Sequence, residues 1–146
     1  MTAPERPWCV MVSGSRDMMW HHADLIEDKL RPFSGIRQSL MIHGAGEGRR
    51  PPIPGCDRVA ADIAVHLKFR VHGYPALWNL QDKGAGPIRN HLLTDILRAH
   101  GKAGYRLAML AFSTGGPGTE GALGLVRLMA QAYDQEITIE KIDVTL

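Results

Sequence analysis

The sequence predicts an α/β protein: a Rossmann-like, three-layer αβα fold around a mostly parallel central sheet. Three observations predict it. Short apolar runs alternate with helical patterns along the chain, the signature of successive βα units. Several of those runs are apolar throughout, residues 107–112 (LAMLAF) most clearly, as strands are when both faces of a sheet are covered. The runs break into polar or glycine-rich turns at Gly14-Ser15-Arg16-Asp17, Gly44-Ala45-Gly46 and Gly115-Gly116-Pro117-Gly118, where strand passes to helix.

Residues 8–13 (WCVMVS) read as the first strand. Residues 19–30 carry Ala23, Ile26 and Leu30 near i, i+3 and i+7, one face of a helix that Pro32 and Gly35 end. Residues 39–43 (SLMIH) form a second buried strand. Three prolines and two glycines in nine residues make 46–54 (GEGRRPPIP) a loop. The clearest helix spans 57–69, with Val59, Ala60, Ile63, Ala64 and Leu67 on one side and Arg58, Asp62, His66 and Lys68 on the other. A third strand covers 69–74 and ends at Pro75, and a loop over 76–85 contains Trp78.

Gly86-Pro87 opens the next helix, with proline at or near the first position, where its missing N–H costs nothing. Its apolar face is Ile88, Leu92, Ile96 and Ala99, and Gly101 terminates it. The strand over 105–112 and a helix from about 117 to 133 follow. Residues 137–142 alternate imperfectly and make a last strand at the sheet edge.

A chain of 146 residues builds one domain with a real core, so residues 1–146 are taken as a single unit. A 45% hydrophobic and 22% charged composition belongs to a globular protein. A net charge of +2 is too small to argue by itself for nucleic acid or an anionic membrane, and with aromatics at only 6% neither is expected as the partner. No apolar run reaches membrane-spanning length and residues 1–9 lack a signal-peptide core, so a cytoplasmic location is expected. Cys9 reads as a small buried hydrophobe, and Cys56, near a helix start, as a thiol whose ionised form is favoured. No disulfide, no metal and no cofactor are expected: the cysteines lack CxxC spacing, and His21-His22 point about 100° apart on a helix.

In parallel α/β folds ligands bind beyond the carboxyl ends of the strands, where the strand order reverses. Residues 13–16, 43–45, 75–78 and 113–119 all fall there, and the start of the Gly86-Pro87 helix borders the same edge. The glycine-rich turn after the 107–112 strand lets backbone N–H groups approach an anion, and the helix that follows adds its dipole.

Gly14-Ser15-Arg16-Asp17, His43-Gly44-Ala45 with Gly55-Cys56-Asp57, Pro75-Ala76-Leu77-Trp78, Gly84-Ala85-Gly86-Pro87-Ile88-Arg89-Asn90, and Ala111-Phe112 before Gly115-Gly116-Pro117-Gly118-Thr119 occur in that order. Together they resemble the small stand-alone YspA-like branch of the SLOG superfamily, which contains the DprA and LOG proteins. The resemblance runs from about residue 10 to 131, and GAGPIRN is its most specific part. It implies a Rossmann-like domain that binds a nucleotide or nucleotide-derived ligand, in bacterial or phage conflict settings. Two departures stand out. Residues 46–54 are inserted within a segment that is compact in the family, and Leu77 replaces the family's acidic residue before the tryptophan. The LOG enzymes, nucleotide phosphoribohydrolases, resemble the chain through Arg89 and a PGGxGTxxE loop. Laid on residues 114–122, that loop puts the family's catalytic glutamate at Ala122, with Glu120 two residues away, about 200° around a helix.

The ligand candidates are therefore Gly14, Ser15, Arg16, His43, Gly44, Asp57, Trp78, Arg89, Asn90, Gly115, Gly116, Gly118 and Thr119. Arg89, in the first turn of its helix, is either a phosphate partner or an arginine paired with a surface carboxylate. Asn90 suits a ribose hydroxyl or a neighbouring loop. Asp57 suits a ribose or a helix cap, and Trp78 a stacked base or core packing. Arg16 and Ser15 suit a phosphate or a solvated loop, and His43 a buried hydrogen-bonded position. Glu120, Asp57 and His43 are the candidates for acid or base. Two functions follow: a module that senses or sequesters a nucleotide, and a small hydrolase of an N-glycosidic or phosphate bond. The apolar surplus on the helix after Ala122 adds a homodimer or larger homo-oligomer.

Overall fold

The computed structural model describes residues 5–77 and 84–146. Five apolar runs become strands β1 (Trp8–Gly14), β2 (Leu40–His43), β3 (Arg70–Gly73), β4 (Arg106–Ser113) and β5 (Ile137–Asp143). They form one sheet in the order β3-β2-β1-β4-β5, every neighbouring pair parallel. The two central strands are sealed on both faces, which is why their sequences lack alternation: residues 9–12 and 107–113 are all buried. The edge strands β3 and β5 carry the polar residues.

The described helices are α1 (Ala23–Leu30), α2 (Cys56–His66), α3 (Ala85–Lys102) and α4 (Pro117–Ala132). Side chains leave a strand alternately to its two faces, and the core divides accordingly. Val10, Val12, Met41, Leu110 and Phe112 pack against Ile26 and Leu30 of α1 and Val59, Ala60 and Ala64 of α2. Cys9, Met11, Ile42, Met109 and Ala111 pack against Leu93 and Leu97 of α3 and Leu123 and Val126 of α4. These are the three layers the sequence predicts.

Three local expectations are corrected. The helix expected over 19–30 begins as a short 3-10 turn, Trp20–His22, and is α-helical only from Ala23. Helix α3 starts at Ala85, so Pro87 sits in its first turn as its third residue and Arg89 as its fifth, past the point where the macrodipole acts most strongly. The buried face of α3 is Asn90, Leu93, Thr94 and Leu97, while Ile88 and Leu92 are 49% and 47% exposed. Two polar residues turn inward because their groups are satisfied there. Thr94 donates its hydroxyl to the Asn90 carbonyl, and Asn90 Oδ1 accepts from Arg89 Nε.

Candidate functional site

Strand order reverses between β1 and β4, each of which turns to a different neighbour on its far side. Beyond their carboxyl ends lies a cavity of about 420 Å³. Four loops and two helix starts converge on it. Ser13 to Arg16 enter from β1, Gly44 to Glu47 from β2, Pro75 and Ala76 from β3, Gly116 to Thr119 from β4, Asp57 from α2, and Arg89 and Asn90 from α3.

Helix α4 begins at Pro117 with Gly116 as its N-cap. Pro117 has no N–H, so the donors without an intrahelical acceptor are those of Gly118 and Thr119, two residues that line the cavity at the positive end of the dipole. Gly115 precedes it at φ 91°, a conformation suited to glycine. Its N–H donates to Ser113 Oγ at 3.0 Å, so Gly115 bends the loop while Gly116, Gly118 and Thr119 form the cavity wall.

Arg89 is half-buried and fixed. Its Nη1 donates to the Gly44 carbonyl at 2.5 Å and its Nε to Asn90 Oδ1 at 3.0 Å. A Cβ on residue 44 would stand 2.1 Å from Nη1, so glycine is required for the guanidinium to reach that carbonyl. Two of the five guanidinium N–H groups are used in these bonds, which leaves three for other partners, and Arg89 lines the cavity.

Asp57 and His43 shape the turn after β2. Asp57 Oδ2 accepts the Gly46 N–H at 2.8 Å, and His43 Nδ1 accepts the Ala45 N–H at 2.9 Å. Between them Ala45 is held at φ 51°, the left-handed region a side chain rarely adopts. Burial pushes the Asp57 carboxyl above the ordinary carboxylate range, against the Gly46 N–H and the positive charge around it. Burial also lowers His43, with the Asp57 charge opposing and the Arg89 charge adding. Arg89 is lowered by burial and supported by Asp57. Because Nδ1 is an acceptor, the His43 ring is neutral and carries its proton on Nε2.

The remaining candidates fall in several places. Arg16 borders the cavity, and its Nε donates to the Glu47 carbonyl at 2.8 Å. Ser15 borders it too, but its hydroxyl accepts the Asp17 N–H at 3.1 Å and so serves the local turn. Gly14 is in the wall, packed so closely on Cys56 that a Cβ would meet its Sγ at 2.3 Å. That burial raises the Cys56 thiol well above its ordinary value, the reverse of the ionised thiol expected at a helix start. His43 is absent from this wall and lines a neighbouring cavity. Glu120 is absent as well. Its Oε1 pairs with Lys141 Nζ at 2.8 Å and accepts from Ser113 Oγ at 3.0 Å, and these bonds, Lys141 first, hold it below the usual carboxylate range. Trp78 lies outside the described residues.

Sequence reasoning missed Glu47 and Arg49, which the loop over 46–54 contributes to the cavity wall. The loop is strapped to the segment after β1: Arg49 N donates to the Arg16 carbonyl, Arg49 Nε pairs with Asp17 at 2.8 Å, and Gly55 N donates to the Met18 carbonyl. The signal was available, since a loop that follows directly on Gly44-Ala45, already assigned to the ligand edge, starts at that edge.

No group of three or more histidine, cysteine, aspartate or glutamate side chains among the described residues is arranged to hold a metal ion. No described helix is long and apolar enough to cross a membrane. No protein-family model and no curated protein matches the chain.

Proposed function

We propose that the cavity beyond β1 and β4 binds the phosphate of a nucleotide or nucleotide-derived ligand, and that the protein senses or sequesters that molecule. The observation that carries this reading is the meeting of two independent anion-binding devices in one cavity: the free N–H groups at the start of α4 and the fixed guanidinium of Arg89. Arg16 adds positive charge to the wall, while the charge of Arg49 is paired with Asp17. The resemblance to the YspA-like SLOG proteins, carried by residues 84–90 and 115–119, supports the same ligand class.

A LOG-like nucleotide hydrolase is the second reading, and Asp57 is the observation that favours it. Of the three acid or base candidates, only Asp57 lines this cavity, and burial keeps its carboxyl disposed to hold a proton. Against it, Asp57 already accepts a backbone N–H, and Ala122, where the LOG motif has its glutamate, is buried in the core. Native mass spectrometry of protein purified without added nucleotide tests both readings. A co-purifying nucleotide that stays intact over hours supports a binder. Free base or ribose phosphate appearing in proportion to protein concentration supports the hydrolase.

The binder is a homodimer or larger in this proposal. Ile88 and Leu92 on α3, Leu128 on α4 and Tyr133 just past its end are exposed large side chains on one layer, a surface suited to a second copy. A monomer mass by light scattering at high micromolar concentration would reject it.

A further inference from the structure

Across the Ala45–Glu47 backbone from the phosphate cavity lies a second one of about 590 Å³. Ala45, Gly46 and Glu47 belong to both walls. The rest of the second wall is different in kind. Trp20, Pro51, Pro52, Ile53 and Pro54 supply flat apolar surface, and His43 and Arg58 supply the polar groups. Four of these residues, 51–54, come from the loop over 46–54.

Two features of that wall call for an occupant. Trp20 is 48% exposed, a large indole left uncovered on a short turn. His43 is only 8% exposed, its Nδ1 is taken by the Ala45 N–H, and its Nε2–H has no partner among the described residues. No side-chain nitrogen or oxygen among those residues is both fully enclosed and unpartnered, so Nε2 keeps open surface, and the cavity His43 lines is this one. A buried donor selects a ligand carrying an acceptor, because any other occupant leaves it unpaired.

We propose that the second cavity takes a planar heteroaromatic ring, the base of the nucleotide whose phosphate sits in the first cavity, stacked on Trp20 and accepting a hydrogen bond from His43 Nε2–H. This rests on the phosphate reading above. Because Ala45, Gly46 and Glu47 line both cavities, only the backbone of that turn stands between them, and the sugar that joins phosphate to base is the part of a nucleotide that crosses it. A second phosphate fits this wall poorly. Arg58 is its one cation, facing Asp62 at 3.8 Å, and His43 is neutral when Nδ1 accepts.

Calorimetry with AMP, GMP, CMP, UMP and ribose 5-phosphate tests the proposal, together with the ¹H–¹⁵N cross-peak of the Trp20 indole. The best of the four nucleotides should bind about tenfold tighter than ribose 5-phosphate, the contribution of one stacked base. Trp20→Ala, at an exposed position, should erase that advantage and leave ribose 5-phosphate affinity unchanged. The indole cross-peak should move with the nucleotide and not with ribose 5-phosphate. Nucleotides binding no tighter than ribose 5-phosphate, or keeping their advantage in Trp20→Ala, would overturn the base site. Arg89→Ala separates the two claims. Loss of ribose 5-phosphate binding there upholds the phosphate cavity whatever Trp20 does, undiminished binding removes the phosphate reading, and failure of every probe to bind the wild-type protein overturns both.

Discussion

Replacing Gly44 by alanine displaces the Arg89 guanidinium without removing any charge from the site. The added Cβ would stand 2.1 Å from Arg89 Nη1 and 2.5 Å from Cζ. Ordinary contact needs about 3.5 Å, so the guanidinium has to withdraw by more than an ångström and give up the Gly44 carbonyl. A hydrogen bond from a charged donor contributes about 1.5–3 kcal/mol, and AMP affinity should fall by that amount. Stability should fall by about 1–3 kcal/mol, the usual cost of forcing a group into an occupied space. Titration calorimetry and urea denaturation read the two quantities. The double variant Gly44→Ala, Arg89→Ala decides the mechanism, because changes acting through one contact are not additive. It should bind AMP no worse than Arg89→Ala alone and regain stability over Gly44→Ala. Strictly additive losses, or full affinity in a folded Gly44→Ala protein, would refute the reasoning.

Three further outcomes are expected. Asp57 has a folded-state pKa raised above its unfolded value, so the native state binds its proton more tightly and its contribution to stability is lost as pH rises through the folded pKa. Asp57→Asn keeps an acceptor for the Gly46 N–H without the charge. It should be more stable than wild type at pH 8, with the gain vanishing toward pH 4, and denaturation curves showing a loss at pH 8 instead would mean that Arg89 and Gly46 hold the carboxylate ionised. Gly116→Val should fold normally, since φ −73°, ψ 150° suits any residue and nothing lies within 4 Å of the added Cβ, yet AMP titration should find binding weakened by about 1.5 kcal/mol or more as the side chain occupies the phosphate's space. Glu120→Gln should leave AMP affinity and any slow turnover nearly unchanged, because the carboxylate serves Ser113 and Lys141; abolished turnover would restore it as a catalytic candidate.

The layers were readable because the central strands, buried on both sides, carry uninterrupted apolar runs that nothing else in the chain imitates. The ligand edge was readable because glycine and polar residues follow those runs. What misled was α3. The apolar pattern admits two faces, Ile88-Leu92-Ile96 and Leu93-Leu97, and the second is buried together with Asn90 and Thr94, whose inward turn depends on hydrogen bonds that no periodicity reports, while Ile96 packs at its edge. Glu120 misled for a related reason: its partner Lys141 is 21 residues away on β5 and meets it only through the sheet. The contribution of the 46–54 loop depended on tertiary straps, Arg49 to Asp17 and Arg16 to Glu47, between segments about 30 residues apart. No local pattern encodes them.

The most direct test of the central claim is a calorimetric titration of AMP into wild type and Arg89→Ala, with denaturation of both proteins without ligand as the control for folding. The guanidinium holds its position through Gly44 and Asn90, and Arg89 lines the same cavity as the start of α4. Its removal should weaken binding by about 1.5–3 kcal/mol, roughly tenfold to a hundredfold in Kd, while the protein still unfolds cooperatively. Unchanged affinity in a folded Arg89→Ala protein would contradict the phosphate cavity.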